Sequence, residues 1–437
     1  MKRHGGMDRT FGLLFTVMLV IAAGNTALQS VLPALGRSLH VADSAVAAVF
    51  SVSALLWVIA APFWANRSDR HGRRAMVLLG VAGYTLSLLL CGAFLMLGIN
   101  GVLAPLATFI AFILARMVYG ALGAAAPPAV QALVAGRTTR EERTRALTLI
   151  ASAFGLGTII GPAIAPYLVL GAMWEGGPLI GLAGPAFFAA AIGAALWIAV
   201  VRLLPHEEAP SHGAAASYPS IGGQSSGATV TAAMAEASQP VGFFDRRIRV
   251  WIIAGLVSGH AQAMTGQAVG FLVIDRLGVT PMEALQPTGL VLMMGAISAL
   301  LAQWGLIPML DLKPRPLILA GAVIGAIGCV ATGTATSLYG IALGYALTSL
   351  GMGLARPGFT AGSSLAVGPQ AQGSVAGKVT SVNGAAFVLG PSIGVGLYEV
   401  WRPLPYLTAA TALACLLIYA LFNLRPSDPV HEASPEQ

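Results

Sequence analysis

Charged residues are scarce in this chain. Only 9% of its 437 residues are Asp, Glu, Lys or Arg, whereas a soluble globular domain carries about 25%. Cysteine is scarcer still, with three residues that all lie within apolar stretches, which disfavours disulfides and thiolate metal sites. The sequence also contains no paired catalytic carboxylates, nucleotide-binding loop or His/Cys cluster. We therefore expect no enzyme, and we predict no catalytic residues, no metal and no cofactor.

Long apolar runs fill the chain instead. Hydrophobic residues make up 56% of it, and its mean hydropathy is +0.79. About 20 consecutive apolar residues are enough for a helix to cross a bilayer. We therefore predict an all-α membrane protein with twelve transmembrane helices, numbered span one to span twelve: 11–36, 43–65, 75–97, 103–136, 144–170, 178–204, 249–277, 283–311, 317–336, 338–367, 372–400 and 403–424.

The placement of positive charge orients these spans. Most of the 24 Lys and Arg residues fall in segments on the side that holds both termini, whereas Arg37, Arg276 and Arg402 fall on the opposite side. Cytoplasmic segments of membrane proteins carry an excess of Lys and Arg. We therefore expect a multi-pass protein of the inner (plasma) membrane with both termini in the cytoplasm. The net charge of +7 follows from this placement in the lipid bilayer, so no nucleic-acid partner is expected.

The chain divides into two bundles of six spans. A stretch rich in Gly, Ser, Ala and Pro at 205–248 has no apolar stripe, which is typical of a flexible linker, here a cytoplasmic one. It separates an N-terminal bundle at 1–204 from a C-terminal bundle at 249–437 that ends in a short cytoplasmic tail.

The two halves look related. Pro128 and Pro357 are separated by the same number of residues as the Gly-Pro pairs that begin at Gly161 and Gly390. Two matches at one separation indicate a duplication, and hence two pseudo-symmetric six-helix bundles.

A charged loop between spans two and three carries the most specific motif. It reads "ANRSDRHGRR", and Asp69, Arg70, Gly72, Arg73 and Arg74 are spaced as in the loop motif of the major facilitator superfamily, which this chain resembles. In that family the loop latches the two halves together on the cytoplasmic side, so the resemblance implies a cytoplasmic gate. A plain charge anchor is the alternative, but it does not explain the acid and the glycine at this spacing.

A second motif lies in span five. The stretch "GTIIGPAIAP" resembles a motif of the twelve-span drug:proton antiporter branch, with Gly157, Gly161 and Pro162 matching, and Gly390 and Pro391 repeat part of it in span eleven. Gly followed by Pro frees a backbone carbonyl and lets a helix bend. We predict bends that serve rocking between two states, and ordinary packing of small residues is the alternative. The resemblance covers nearly the whole chain and implies export.

Polar residues in mid-span predict a substrate cavity. In the family that the chain resembles, spans one, four, seven and ten line the cavity, and here each carries a polar or Met-bearing stripe. The predicted cavity residues are Asn25, Gln29, Arg116, Tyr119, His260, Met264, Gln267, Tyr345 and Arg356. Two arginines without a mid-span acid favour anionic, zwitterionic or neutral amphiphiles. Hydrogen bonds that only hold the bundle together are the alternative role for these side chains.

Proton coupling needs a group that changes charge. Many members of the resembled family carry a buried acid in span one, where this chain has Asn25 and Gln29. His260 is the mid-span side chain whose unperturbed pKa lies near physiological pH. Asp275 and Glu399, near the outer span ends, are the other candidates.

These features together predict a secondary transporter. We expect it to export a small organic molecule by alternating access, with proton coupling, as a monomer. The alternatives are an importer or facilitator of an organic acid or a sugar-like solute and, from another class, a membrane enzyme or receptor.

Overall fold

The computed structural model describes residues 4–138, 140–173, 177–205, 241–368 and 371–424, and most of the predicted linker lies outside them. Within these ranges, helices follow one another along the chain in the predicted order. Spans one to six are His4–Ser38, Asp43–His71, Arg73–Ile99, Pro105–Leu122 with Ala126–Arg137, Arg140–Ile164 and Gly184–Leu203. Spans seven to twelve are Arg249–Leu277, Leu285–Leu300 with Ile307–Leu310, Pro314–Thr334, Leu338–Leu365, Gln372–Val400 and Leu404–Asn423.

Eleven helices in the described part of the chain are long and apolar enough to cross a membrane. Span seven is not among the eleven, because it carries His260, Gln262 and Gln267 in its middle. It is nevertheless 29 residues long, and it packs against spans ten, eleven and twelve. The predicted all-α membrane fold is therefore confirmed, and the least apolar span is one that lines the cavity described below.

Prolines interrupt two of the spans. Span four passes through a 3-10 turn at Gly123–Ala125 just before Pro127 and Pro128, and span eight passes through a π-helical segment at Leu301–Leu306 just before Pro308. Proline has no amide hydrogen to donate, and its ring clashes with the preceding turn. The regular α-helical ladder therefore stops at both places.

A short hairpin replaces part of the predicted helices at the outer end of the first half. Span five ends in a 3-10 turn at Ala165–Leu168, and strands β1 (Leu170–Ala172) and β2 (Leu179–Gly181) pair antiparallel before span six begins at Gly184. The boundaries predicted at 170 and 178 were therefore wrong. The Asn100 side chain accepts from Leu179 N at 2.8 Å and donates to Leu179 O at 2.8 Å, which satisfies the edge of β2.

Each half packs its first span against its fifth. A Cβ on Gly161 would lie 2.3 Å from the carbonyl oxygen of Ala23, and a Cβ on Gly390 would lie 2.5 Å from the Cβ of Ala263. Small residues let membrane helices approach closely, so these glycines are points of close contact. The same pairing in both halves supports a duplication. Both helices continue through the Gly-Pro pairs, and a bend there stays a prediction.

Candidate functional site

A polar cavity of about 210 Å³ lies between the two halves. Side chains from spans one, two, four, five, seven, eight, ten and eleven line it. The structure brings seven of the predicted cavity residues together in this lining: Asn25, Gln29, Arg116, Tyr119, Gln267, Tyr345 and Arg356.

Arg116 is the buried charge of the first half. Only 2% of this residue is exposed. Its Nη2 donates to Oδ1 of Asn25 at 2.7 Å, and its Cζ lies 5.4 Å from the ring centroid of Phe50 and 4.8 Å from that of Tyr119. Ring faces attract a cation electrostatically. These contacts stabilise the guanidinium through an amide oxygen and two aromatic rings, and none of them is a carboxylate.

Two glutamines join the halves across the cavity. Nε2 of Gln29 in span one donates to Oε1 of Gln267 in span seven at 3.3 Å. On the wall formed by the second half, a Cβ on Gly295 would lie 2.4 Å from a ring carbon of Tyr345, so the glycine makes room for the phenol ring. The cavity therefore lies where a relative movement of the halves changes its shape.

The lining is positively charged. Arg116 and Arg356 both belong to it, and Arg356 is 9% exposed. Among the described residues that line the cavity, none is an Asp or a Glu. A cavity with this lining has a positive potential and favours negative charge.

The sequence prediction missed an aromatic wall. Phe50, Ser53 and Trp57 of span two line the cavity, and Phe154 and Phe387 face it from spans five and eleven. The span-two residues follow the i, i+3, i+7 spacing of one helix face. That spacing was the available signal, but an aromatic stripe in a membrane span is equally typical of residues that face lipid or a neighbouring helix.

His260 and Met264 do not belong to the lining, although both were predicted there. Met264 is buried against span eleven, where a Cβ on Gly394 would lie 2.6 Å from the Met264 Cα. The cavity face of span seven instead carries Gln262, Ala263 and Gln267. Gln262 was not among the predicted cavity residues.

The face of span seven that lines the cavity continues toward the terminal side. Leu256 and His260 share it with Ala263 and Gln267, at spacings of four, three and four residues. Leu256 is 42% exposed, so no described span covers this part of the face. Nδ1 of His260 lies 2.7 Å from the Leu256 carbonyl oxygen. Because a carbonyl only accepts, Nδ1 donates the hydrogen in this contact.

A charge network closes the opposite, outer end. Arg37 of span one forms an ion pair with Asp275 of span seven, and its Nη2 also contacts Asp43 Oδ2 at 2.7 Å. The Tyr398 hydroxyl donates to Asp275 at 2.6 Å, and Nε of Arg402 lies 3.4 Å from the same carboxylate. We call these five residues the outer network. It connects the two halves, because Arg37 and Asp43 belong to the first half and the others to the second.

Two further contacts support this closure. The backbone N–H of Ser44 donates to the Glu399 carboxylate at 2.8 Å, and the hydroxyls of Ser51 and Ser392 lie 2.8 Å apart. Asp275 and Glu399, the two predicted alternatives for the proton carrier, therefore lie in contacts between the halves and outside the cavity lining.

The motif loop is described in part, and the side chains of Asp69 and Arg70 lie outside the described residues. Gly72 adopts φ +88°, a left-handed conformation that suits glycine. Nη1 of Arg73 donates to the Ala132 carbonyl in span four at 3.0 Å. A Cβ on Gly136 would lie 2.6 Å from that same Nη1, so glycine at 136 leaves room for the arginine.

Arg74 binds the end of span six. Its Nε donates to the Leu204 carbonyl at 2.8 Å, and its Nη2 donates to the Val201 carbonyl at 2.7 Å. Cations stabilise the unpaired carbonyls at a helix C-terminus. Both arginines therefore bind helix carbonyls of the first half, while the predicted role of the loop as a gate stays a prediction.

Membrane spans in two related halves, closed at one end around a polar cavity between them, define a membrane transporter that works by alternating access. The chain belongs to the Major Facilitator Superfamily, because the model of that family matches residues 14–313 and 306–437. It is therefore a transporter of small molecules, and the expectation that it is not an enzyme is confirmed.

Curated relatives match over the full length. The chain is 25% identical to multidrug resistance protein 2 of Bacillus subtilis over 94% of both chains. It is 23% identical to the class H tetracycline resistance protein of Pasteurella multocida, over 97% of this chain and 98% of the relative. The predicted resemblance to the drug:proton antiporter branch is confirmed by these relatives.

Solved structures share the fold. A bacterial homolog of the human lysosomal transporter Spinster, in an inward-facing and occupied conformation, has a TM-score of 0.68 at 12% identity, over 95% of both chains. The human organic anion transporter MFSD10 (TETRAN) has a TM-score of 0.62 at 18% identity, over 94% of this chain and 99% of the other.

Proposed function

We propose that this protein exports small organic molecules from the cytoplasm by alternating access, and that it prefers anionic, zwitterionic or neutral amphiphiles. One observation carries the proposal: among the described residues, the lining of the cavity between the halves contains two arginines and no acid, and contacts between the halves close its outer end. The names of the relatives, multidrug and tetracycline resistance proteins, support export of drug-like molecules.

The proposal places the chain in the inner (plasma) membrane with its termini in the cytoplasm. The excess of Lys and Arg on the terminal side supports this orientation. The cavity is enclosed by helices of one chain, which supports a monomer as the transporting unit. In this orientation the closed outer end would face away from the cytoplasm, which supports uptake of the substrate from the cytoplasmic side.

Vesicles of both orientations test the direction of transport. Energised everted vesicles should accumulate tetracycline and the anionic dye pyrenebutyrate, and they should accumulate the cation ethidium less. Right-side-out vesicles should not accumulate these compounds. Accumulation in right-side-out vesicles alone would instead identify an importer, and energy-independent equilibration in both orientations would identify a facilitator.

We further propose that the export is coupled to protons and that His260 carries the proton. His260 lies on the face of span seven that lines the cavity, about one to two turns toward the terminal side of Ala263 and Gln267, where a substrate that enters from the cytoplasm would pass it. Asp275 is less suited to this role, because its ionised form holds the outer end closed. Protonation from outside would weaken that closure, whereas proton entry in an antiporter has to favour the return to the inward-facing state.

The prediction for His260 is that His260→Ala abolishes drug accumulation driven by a pH gradient but retains exchange of drug between the two sides. The measurement is pH-gradient-driven flux beside counterflow in reconstituted vesicles. His40→Asn is the matched control, because His40 lies in the turn after span one and, with φ +54°, tolerates Asn. Full gradient-driven transport by His260→Ala would rule this carrier out.

A further inference from the structure

Two residues that line the cavity each carry a buried donor without an acceptor. Nε1 of Trp57 and Nε of Arg116 are buried atoms that have no hydrogen-bond partner in the described part of the chain. Trp57 is 5% exposed and Arg116 is 2% exposed, and both residues line the cavity. A buried donor without an acceptor loses its hydrogen bond to water and gains nothing in return. The site is therefore incomplete without a group that accepts hydrogen bonds.

Both residues pack against one aromatic ring. The ring centroid of Tyr119 lies 5.2 Å from that of Trp57 and 4.8 Å from Cζ of Arg116. Asn25 fixes the guanidinium from the other side through Nη2. Trp57 and Arg116 therefore both lie beside Tyr119, on helices of the first half.

This place lies deeper in the cavity than the second arginine. Spans four and ten both begin at the outer side, Pro105 and Leu338 being their first residues. Counted from these ends, Arg356 lies about 10 Å further toward the terminal side than Arg116. An anion that enters from the terminal side therefore meets Arg356 first and Arg116 last.

We propose that Trp57 and Arg116 form a subsite for a carboxylate group of the substrate. This rests on the proposed function, since it specifies substrate chemistry for the same cavity. A carboxylate offers two acceptor oxygens, and here it would accept from the indole N–H and from the guanidinium. It would also neutralise the buried charge of Arg116, which meets no acid among the described residues of the lining. The rest of the substrate would lie along the aromatic wall of Phe50, Phe154 and Phe387.

The test compares one ligand in two forms, pyrenebutyrate and its neutral methyl ester, by fluorescence titration of the purified full-length protein. The wild type should bind the acid more tightly than the ester. Trp57→Phe removes the N–H and keeps a ring, so it should weaken binding of the acid about tenfold, as expected for a hydrogen bond to a charged group, and should leave the ester nearly unchanged. Arg116→Lys should also weaken binding of the acid more than binding of the ester, because lysine keeps the charge but loses the planar fork of the guanidinium.

Trp64→Phe is the matched control. Trp64 lies in the same span, but its Nε1 donates to the Ala121 carbonyl at 2.6 Å and it does not line the cavity. This variant should keep the acid-to-ester ratio of the wild type.

Two results would overturn the subsite. One is a wild type that does not distinguish the acid from the ester. The other is a Trp57→Phe variant with an unchanged ratio. If either occurs while the wild type still accumulates drugs in everted vesicles, the proposed function stands without this subsite. Selective binding that Trp57→Phe abolishes, together with no vectorial transport, would support the subsite and contradict the proposed function.

Discussion

Arg116 shows how a single residue can set the chemistry of a cavity. A charge in the membrane interior is costly unless a partner or a polar cavity stabilises it. Here the partner is the neutral side chain of Asn25, at 2.7 Å, so the positive charge stays available to an anion. An acid at position 25 would occupy the same place and form an ion pair with the arginine instead.

The first prediction at this scale is that Asn25→Asp weakens the preference of the cavity for anions. The new carboxylate would neutralise Arg116 and leave Arg356 as the remaining charge in the lining. We expect transport of pyrenebutyrate to fall about tenfold relative to that of ethidium, because a close charge pair is worth roughly that much in selectivity. Parallel flux assays of both dyes in everted vesicles measure the ratio. Asn25→Ser serves as the uncharged control, and an equal fall for both dyes in Asn25→Asp would contradict the explanation.

At the scale of the helix, close approach between spans is determined by single glycines. Gly161 and Gly390 occupy corresponding places in the two halves, and each allows the first helix of its half to touch the fifth. Apolar burial gives little driving force between helices in lipid, so association depends on close packing. A methyl group at these positions would push apart the helix pairs that carry the cavity wall.

The prediction for these helices compares Gly390→Ala with Gly396→Ala in the same span. A Cβ at 390 would lie 2.5 Å from the Cβ of Ala263, whereas a Cβ at 396 meets nothing within 4 Å. We expect Gly390→Ala to destabilise the protein by about 1–3 kcal/mol, as other overpacked sites do. Gly396→Ala should be neutral or slightly stabilising. Thermal unfolding of the two purified variants in the same detergent measures the difference, and equal melting temperatures would show that span eleven moves away at no cost.

The sequence predicted the elements of the fold better than the geometry of the site. Apolar length predicted the spans, and mid-span polarity predicted residues such as Asn25, Arg116 and Gln267 that do meet in the cavity. Helix periodicity alone could not place Met264, because its direction depends on how span seven rotates against span eleven. It also could not distinguish Trp57 from a lipid-facing aromatic residue. The contact of Arg37 with Asp275 depends on the docking of two halves that are far apart in sequence.

At the scale of the whole molecule, contacts between the halves close the outer end in the described conformation. The outer network connects span one to span seven through Arg37 and Asp275. It also includes Asp43 at the start of span two and Tyr398 near the end of span eleven. The motif loop lies at the other end, where its resemblance to the family implies a latch that holds the opposite state. A transporter of this kind distributes between two states according to the difference in free energy between these two ends.

Opposite effects are therefore expected from weakening either end. Arg37→Gln should weaken the outer network and favour the state that is open to the outside. Asp69→Asn should weaken the inner latch and favour the described state. A Ser51→Cys, Ser392→Cys pair reports how much of the protein has a closed outer end, because the two hydroxyls lie 2.8 Å apart when that end is closed. Disulfide formation should slow with Arg37→Gln and become faster with Asp69→Asn, in a background without the exposed Cys415.

The last prediction is that the two changes compensate. Each single variant should transport more slowly than the parent, because one of the two states becomes too populated. The double variant should recover part of the transport rate, and its disulfide should form at a rate between those of the two single variants. Arg247→Gln is the control, because it removes an Arg–Asp pair that lies outside the outer network. Arg247 hydrogen-bonds Asp245 ahead of span seven and lowers the pKa of that carboxyl to about 2, but the pair takes no part in the outer network. If the double variant is slower than both single variants, the two ends do not oppose each other, and the loop acts as a charge anchor.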